Sequence, residues 1–173
     1  MDICQLILDD HAEQRKLFGI IEEIDRTDIA SLDAVWGRLR KLLDTHAEAE
    51  ERFFYPIVVR RGEGAGDADG MKDEVEDAID DHNEIRDAAA AVGKEQAGTD
   101  AWFKAVEKAN EANSKHMAEE ERQGMTDYRR HTSADERHRA GIKFAAFDAR
   151  YVDGVEAVDK DPGDYIAAQA KAG

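Results

Sequence analysis

The chain has 173 residues, with 40 aspartates and glutamates against 24 lysines and arginines, and its formal net charge at pH 7 is −16. Such a charge repels phosphates and anionic lipids, so we expect neither nucleic acid nor a membrane as a partner. The single cysteine, Cys4, excludes an internal disulfide. No apolar run approaches the ~20 residues of a membrane helix, and the first residues lack the basic flank of a signal peptide. We therefore expect a cytoplasmic protein.

The predicted elements are all helices, because helix-forming residues dominate, proline occurs twice and alternating apolar runs are lacking. The periodicity predicts five helices, over about 3–25, 31–56, 72–92, 100–130 and 134–150. Glycines at 62, 64, 66 and 70 indicate a flexible connection between the second and third. We expect residues 1–150 to form an up-down four-helix bundle with an additional C-terminal helix. Residues 151–173 would form a tail that packs on the bundle or is mobile.

Two short stretches occur twice, in the same order. Residues 9–15, DDHAEQR, match residues 80–86, DDHNEIR, at five of seven positions. Residues 46–52, HAEAEER, match residues 116–122, HMAEEER, at four of seven. The steps between the four histidines are 35, 36 and 34 residues, about one helix and one loop each. In an up-down bundle, these histidines would lie at a common depth on four neighbouring helices.

Glutamates accompany two of the repeated histidines. His46 and Glu50 are four residues apart, as are His116 and Glu120, so that each pair shares one face of its helix. A buried glutamate is costly unless it is paired or binds a metal. Imidazole with carboxylate suits iron, manganese or zinc, and the absence of thiolates argues against a structural zinc site. The predicted ligands of a two-metal site are His11, His46, Glu50, His82, His116 and Glu120.

The two glutamates come from different helices, so that each can bridge both metals. The histidines of the first half, His11 and His46, would complete the coordination of one metal. His82 and His116, from the second half, would complete that of the other. Metal-bound imidazoles need a partner for the other ring nitrogen. The candidates for that role are Asp10, Glu13, Asp81 and Glu84. We expect the two remaining histidines, His131 and His138, to lie at the surface.

The opening Asp-Asp-His motif, and then His-x-x-x-Glu-Glu followed by Phe-Phe-Tyr-Pro, resemble the hemerythrin-like family, often described by its HHE cation-binding domain. The resemblance extends over about residues 2–150. It implies a four-helix bundle that holds two iron ions with an oxo or hydroxo bridge. Such a centre would react with oxygen, hydrogen peroxide or nitric oxide, and no catalytic residue beyond the diiron centre itself is implied.

One position departs from the pattern of oxygen-carrying hemerythrins, which have His-x-x-x-His on the third helix. Here His82 is followed by Arg86. The symmetric pattern H, HxxxE, H, HxxxE resembles a bacterial subgroup instead and argues against reversible oxygen carriage. With one histidine fewer, each iron can keep an open position, which favours redox turnover. Alternatively, Tyr55 or Tyr128 fills an open position.

The expected lining of the site differs between the halves of the chain. The first two helices bring large side chains, Phe18, Leu42, Leu43 and Phe53. The third and fourth bring small residues, Ala78, Ala89, Ala109, Ala112 and Gly124. We therefore expect a small-molecule channel on the side of the third and fourth helices, which Ala89→Leu would narrow.

Two functions of different classes follow from this site. The first is a catalase-like or otherwise protective reaction in oxidative stress. The second is a non-enzymatic oxygen or iron sensor, carrier or iron-binding protein, with the tail as its output. A ferritin-like carboxylate oxidase fits less well, because its motifs run Glu-x-x-His and are richer in carboxylates. A purely structural bundle would tolerate His46→Ala and Glu120→Ala with no change in metal content.

Overall fold

A computed structural model of the protein describes residues 1–63 and 70–171 and contains eight helices within those ranges. They are α1 Ile3–Glu23, α2 Ile29–Phe53, α3 Tyr55–Arg61, α4 Met71–Val92, α5 Asp100–Arg122, α6 Gly124–His131, α7 Ala134–Arg150 and α8 Pro162–Lys171. No strand occurs among the described residues, and the predicted all-α fold is confirmed. Gly64 and Gly66 of the predicted flexible connection lie outside those residues. Within 1–63 and 70–171, no helix combines the length and apolar character needed to cross a bilayer.

Helices α1, α2, α4 and α5 form the bundle. Helix α1 packs beside α2 and α5, and α4 also packs beside α2 and α5, so that each has two neighbours. The additional helix α7 covers α1 and α2. The short helices α3 and α6 pack on each other, and α8 packs on α3 and α4.

The helix starts depend on side-chain caps. Asp28 caps α2, where its carboxylate accepts a hydrogen bond from Ser31 N at 3.1 Å. The predicted capping box of Ser133 and Glu136 is present at the start of α7. Helix α8, which the sequence pattern did not predict, has Pro162 in its first turn, and Asp161 accepts a hydrogen bond from Asp164 N at 2.8 Å.

Two breaks interrupt the long helices just after the HxxxE motifs. Helix α2 ends at Phe53 and α3 begins at Tyr55, because the proline that follows cannot donate the next helical hydrogen bond. Helix α5 ends at Arg122 and α6 begins at Gly124, a residue of low helix propensity. The prediction of one continuous helix over 100–130 is therefore wrong, and both breaks fall at nearly matching places in the repeat.

The apolar core consists of two clusters. In α1, the first cluster contains Ile3 and Ile7, and the second contains Leu17 and Ile21. His11 lies between these pairs and is fully buried. In α2, the second cluster ends at Leu43 and the first begins at Ala49, again with a histidine between. A buried polar layer therefore separates the two clusters.

Candidate metal centre

The six predicted ligands lie in this polar layer. Two groups of three share one member, and within each group the ligand atoms lie within 4.8 Å of one another: His11, His46 and Glu50, and Glu50, His82 and His116. The side chain of Glu50 is fully buried and joins the two groups. The structure therefore brings five of the six predicted residues into two overlapping triads.

The sixth predicted ligand, Glu120, lies beside the first triad. Its Oε2 atom is 3.5 Å from His11 Nε2, and the residue is 6 % exposed. Within the described residues, neither carboxylate oxygen of Glu120 has a hydrogen-bond partner. The Nε2 atoms of His11 and His46 and the Oε1 atom of Glu50 are also buried without one, although His46 Nε2 lies 2.9 Å from that oxygen. Buried polar atoms that converge without hydrogen bonds fit a bound cation.

The separation of the inner nitrogens fits a metal as well. His82 Nε2 lies 3.1 Å from His116 Nε2. Two nitrogens at right angles on a metal with bonds of about 2.1 Å are separated by about 3.0 Å. The donor set of four imidazoles and two carboxylates therefore fits two ions of iron, manganese or a similar metal.

Each of the four histidines turns its Nδ1 atom toward an outer carboxylate. The distances are 2.9 Å from His11 to Glu121, 3.0 Å from His46 to Asp10, 2.8 Å from His82 to Glu51 and 3.7 Å from His116 to Asp81. A carboxylate that accepts the Nδ1 proton keeps Nε2 available as a metal ligand and orients the ring. All four imidazoles therefore present Nε2 to the centre.

The outer carboxylates were predicted in part. Asp10 and Asp81 take the expected role, whereas Glu13 pairs with Arg38 at the surface and Glu84 is exposed. The residues that the sequence analysis missed are the second glutamates of the two Glu-Glu doublets, Glu51 and Glu121. Their repetition directly after the predicted ligands was the signal that could have found them.

Two arginines at equivalent positions of the repeat hold these glutamates. Arg15 donates to Glu121 at 2.7 Å, and Arg86 donates to Glu51 at 2.7 Å. Arg86 stands where oxygen-carrying hemerythrins are expected to have a fifth histidine. Its guanidinium group donates to Glu51, the outer carboxylate of His82. The residue at this position therefore helps to orient His82 and is not itself a ligand.

Tyr55 approaches the centre, as one of the two tyrosine alternatives foresaw. Its hydroxyl lies 3.5 Å from both Glu50 Oε2 and His82 Nε2, because the helix break at Phe54 turns the side chain inward. Burial, together with the nearby glutamates, raises its pKa well above the ordinary value. The other candidate, Tyr128, stacks on Phe54 with ring centroids 4.6 Å apart, and its buried hydroxyl has no hydrogen-bond partner among the described residues.

Without a metal, the electrostatics of the centre favour protons on Glu120 and His116 but not on His11. Burial and the charge of Glu50 raise the pKa of Glu120 to about 8. Burial opposes protonation of His116, but the carboxylates of Asp81 and Glu50 raise its pKa to about 10. Burial and the charge of His46 lower the pKa of His11 to about 3. Protons therefore balance charges that a cation would otherwise balance.

A cavity of about 300 Å³ reaches the centre between α3, α4 and the α5–α6 break. Its lining includes the exposed Asp73 and Asp77 as well as the buried His116 and Glu120. Its wall also contains the half-buried Glu74, whose carboxylate oxygens are buried and have no hydrogen-bond partner among the described residues. The cavity is therefore a strongly acidic route from the surface to the proposed ligands.

The predicted lining of the site is correct in part. Ala78 and Gly124 line this cavity on the expected side. Ala89 and Ala109 instead belong to the second apolar cluster, which contains the large side chain of Trp102. The expectation that Ala89→Leu would narrow a channel is therefore wrong. None of the four large residues expected as walls lines the cavity either, and Phe54, Tyr55 and Val58 take their place.

The two remaining histidines lie away from the ligand set. His138 is exposed, and its Nδ1 atom lies 3.1 Å from the carbonyl oxygen of Met1. His131 is partly exposed, with Nε2 3.3 Å from the buried Asp127. The prediction that both lie at the surface agrees with these positions.

Comparison with known proteins relates the chain to one family. The family model described as the hemerythrin HHE cation binding domain matches residues 2–125, which contain all six predicted ligands. No curated protein and no solved structure matched the chain. The matched residues cover most of the chain and span α1 to α5 of the bundle. The chain therefore belongs to the hemerythrin HHE cation-binding domain family.

Proposed function

We propose that the chain is a diiron protein, whose two irons share an oxo or hydroxo bridge. The ligands would be His11, His46, Glu50, His82, His116 and Glu120. The observation that carries this proposal is the position of Glu50, a fully buried carboxylate shared by two triads of ligand atoms. Hemerythrin HHE domains bind metal ions, usually iron, which supports the choice of metal. The matched roles of Arg15 and Arg86 support a place in the symmetric H, HxxxE, H, HxxxE subgroup.

The proposed activity is protection against oxidative stress by a catalase-like reaction. Bound iron would supply redox chemistry toward hydrogen peroxide, oxygen or nitric oxide. In the catalase-like reaction, two molecules of hydrogen peroxide give one oxygen and two waters, so that no external reductant is needed. The two apolar clusters limit the access of bulk water to the ligand layer. The acidic cavity would admit small neutral molecules and repel anions.

The side chains near the ligands have separate parts in this proposal. Hydrogen bonds to outer carboxylates direct Nε2 of His11, His46 and His82 inward, and Asp81 lies near Nδ1 of His116 at 3.7 Å. Tyr55 would donate a hydrogen bond to Glu50 or occupy an open metal position, since its hydroxyl lies 3.5 Å from both Glu50 and His82. Substitution of this residue by phenylalanine would remove either contact while leaving the ring in place.

The first test is the metal content of freshly purified protein, with an absorption spectrum before and after hydrogen peroxide is added. We expect two irons per chain, oxo-bridged charge-transfer bands and evolved oxygen. His46→Ala and Glu120→Ala should lose metal, whereas His138→Ala, at an exposed histidine, should keep it. Absence of metal after iron-replete expression would overturn the proposal, and two manganese ions would overturn the choice of iron.

A non-enzymatic sensor, carrier or iron-binding role is the second candidate. The observation that favours it is the contact between the C-terminal segment and the centre, because the hydroxyl of Tyr165 donates to the carbonyl oxygen of Glu51 at 2.5 Å. A change at the centre could then alter how α8 is seated. Two irons, a stable spectrum and no evolved oxygen would favour this role. A cytoplasmic location is also proposed, since the buried free Cys4 suits a reducing compartment.

A further inference from the structure

The two halves of the repeat hold their outer glutamates differently. The pair of Arg15 and Glu121 is partly exposed, with 46 % and 30 % of the side chains accessible. The pair of Arg86 and Glu51 is buried, at 8 % and 1 %. Glu51 also contacts a second cation, the ammonium group of Lys160. Within residues 1–63 and 70–171, no cation of the C-terminal segment pairs with Glu121, whose partners are His11 and Arg15. The two halves of the repeat therefore have matching proposed ligands, but they differ in the cations that pair with the outer glutamates.

Lys160 is fixed in place by several contacts. The side chain of Asn83, the residue after His82, donates to the carbonyl oxygen of Lys160 at 2.8 Å and accepts from its backbone N–H at 3.1 Å. The ammonium group also donates to Glu48 at 2.6 Å. Tyr165, from the following helix, donates to the backbone of Glu51. The backbone of Lys160 is therefore held by Asn83 and the backbone of Glu51 by Tyr165. These hydrogen bonds fix the position of the lysine ammonium group on the carboxylate of Glu51.

The position of Lys160 in the chain is distinct from that of the other groups around the centre. All six proposed ligands and all four outer carboxylates lie within residues 2–125, which match the family model. Lys160 lies beyond that match, in the segment that leads to α8. The C-terminal segment therefore adds a charge to a centre whose other parts belong to the family domain.

We propose that Lys160 is a positioning residue that acts through Glu51 and His82 to raise the reduction potential of the metal bound by His82 and His116. This inference rests on the proposed diiron centre. Because Glu51 also pairs with the ammonium group of Lys160, its carboxylate accepts the hydrogen bond from His82 Nδ1 less strongly. The imidazole of His82 is then a weaker electron donor to the metal. The positive charge also disfavours the more highly charged ferric state. Both effects have the same sign and act on one of the two metal positions.

The test is a spectroelectrochemical titration of the full chain loaded with iron. Lys160→Met should shift the midpoint potential downward, and Lys160→Arg should keep it near that of the wild type. Lys171→Met, which removes an exposed lysine from the same C-terminal segment, is the matched control and should leave the potential unchanged. An unchanged potential in Lys160→Met, or an equal shift in Lys171→Met, would overturn the proposal.

A second variant separates the charge from the seating of the lysine. Asn83→Ala removes both hydrogen bonds to the backbone of Lys160 and a hydrogen bond from Arg86 to Asn83, but it retains both cations on Glu51. We expect a smaller downward shift with normal iron content, and this variant serves if Lys160→Met does not fold. A wild type that binds no iron would overturn the diiron centre itself. Two bound irons with potentials insensitive to Lys160 and Asn83 would overturn only the role of Lys160.

Discussion

Glu51 lies 2.8 Å from His82 Nδ1, although the two residues belong to opposite halves of the repeat. Glu121 crosses in the other direction and lies 2.9 Å from His11 Nδ1. The lone histidine of each half is therefore oriented by a carboxylate from the other half. The histidines of the HxxxE motifs, by contrast, have outer carboxylates from their own half. This arrangement makes separate predictions for the glutamates and for the cations that hold them.

The outer glutamate of His11 should matter for metal binding. We expect Glu121→Gln to weaken iron affinity by about 10- to 100-fold, because the amide accepts the Nδ1 proton less strongly than a carboxylate. Metal affinity would be measured by competition with a chelator. Glu13→Gln is the matched control, since Glu13 pairs with Arg38 near His11 without contacting the ring. Equal losses in the two variants would contradict the role of Glu121.

The two equivalent arginines should contribute unequally to stability. Arg86→Met leaves the buried Glu51 with one cation fewer, and we expect the free energy of unfolding to fall by about 1–3 kcal/mol. Arg15→Met breaks a partly exposed pair and should cost less than about 1 kcal/mol. Urea denaturation of the metal-free protein measures both changes. A larger loss for Arg15→Met would show that burial does not set the strength of these pairs.

Glu74 should make stability depend on pH. Burial and the charge of Asp127 raise its pKa to about 7, above the value in an unfolded chain. The folded state therefore retains this proton more readily, and stability that is present below about pH 4.5 is lost as the pH rises through about 7.

Glu74→Gln stays uncharged and should remove this loss. After allowance for the half-exposed side chain, we expect a gain of about 1 kcal/mol at about pH 8 and none at about pH 4. The measurement is chemical denaturation of the metal-free protein at the two pH values. Asp73→Asn, at an exposed carboxylate of the same cavity, is the control. A gain that is the same at both pH values would refute the assignment to Glu74.

The acidic cavity should control access to the centre. Ala78→Leu places a larger side chain in its wall, and we expect a several-fold slower reaction with hydrogen peroxide at unchanged iron content. Ala89→Leu, in the second apolar cluster, should leave that rate unchanged and lower stability by about 1–3 kcal/mol through overpacking. Stopped-flow absorption and thermal unfolding distinguish the two. Slower reaction in Ala89→Leu alone would place the route elsewhere.

The helical bundle and its inward-facing residues could be predicted because they depend on local periodicity. The spacing of four residues between His46 and Glu50 fixes a shared helix face whatever the tertiary structure. The helix break at Phe54, just before Pro56, was also predictable, because proline acts on its own backbone. The break at Gln123 was not, since no comparably strong local signal marks it.

Contacts between distant segments were harder to predict. The pairing of Glu51 with His82 depends on how α2 lies against α4, which no local pattern records. Lys160 lies in a stretch without helical periodicity, and its place on Glu51 follows from the docking of the C-terminal segment. The small residues Ala78 and Ala89 look alike in sequence. Their surroundings differ through tertiary packing, because Ala89 packs in the cluster that contains Trp102, whereas Ala78 lines the cavity together with Tyr55.

The crossed hydrogen bonds have a consequence for the two halves of the chain. Helices α1 and α2 by themselves would keep the contact between His46 and Asp10 but leave His11 without its carboxylate. Helices α4 and α5 by themselves would likewise leave His82 without its outer carboxylate, Glu51. A second copy of either half, placed by a two-fold rotation, would restore the missing partner. The arrangement of contacts in the bundle thus resembles that of a symmetric dimer whose two subunits are joined in one polypeptide. The contact of Lys160 with Glu51 has no equivalent on Glu121 among the described residues and departs from that symmetry.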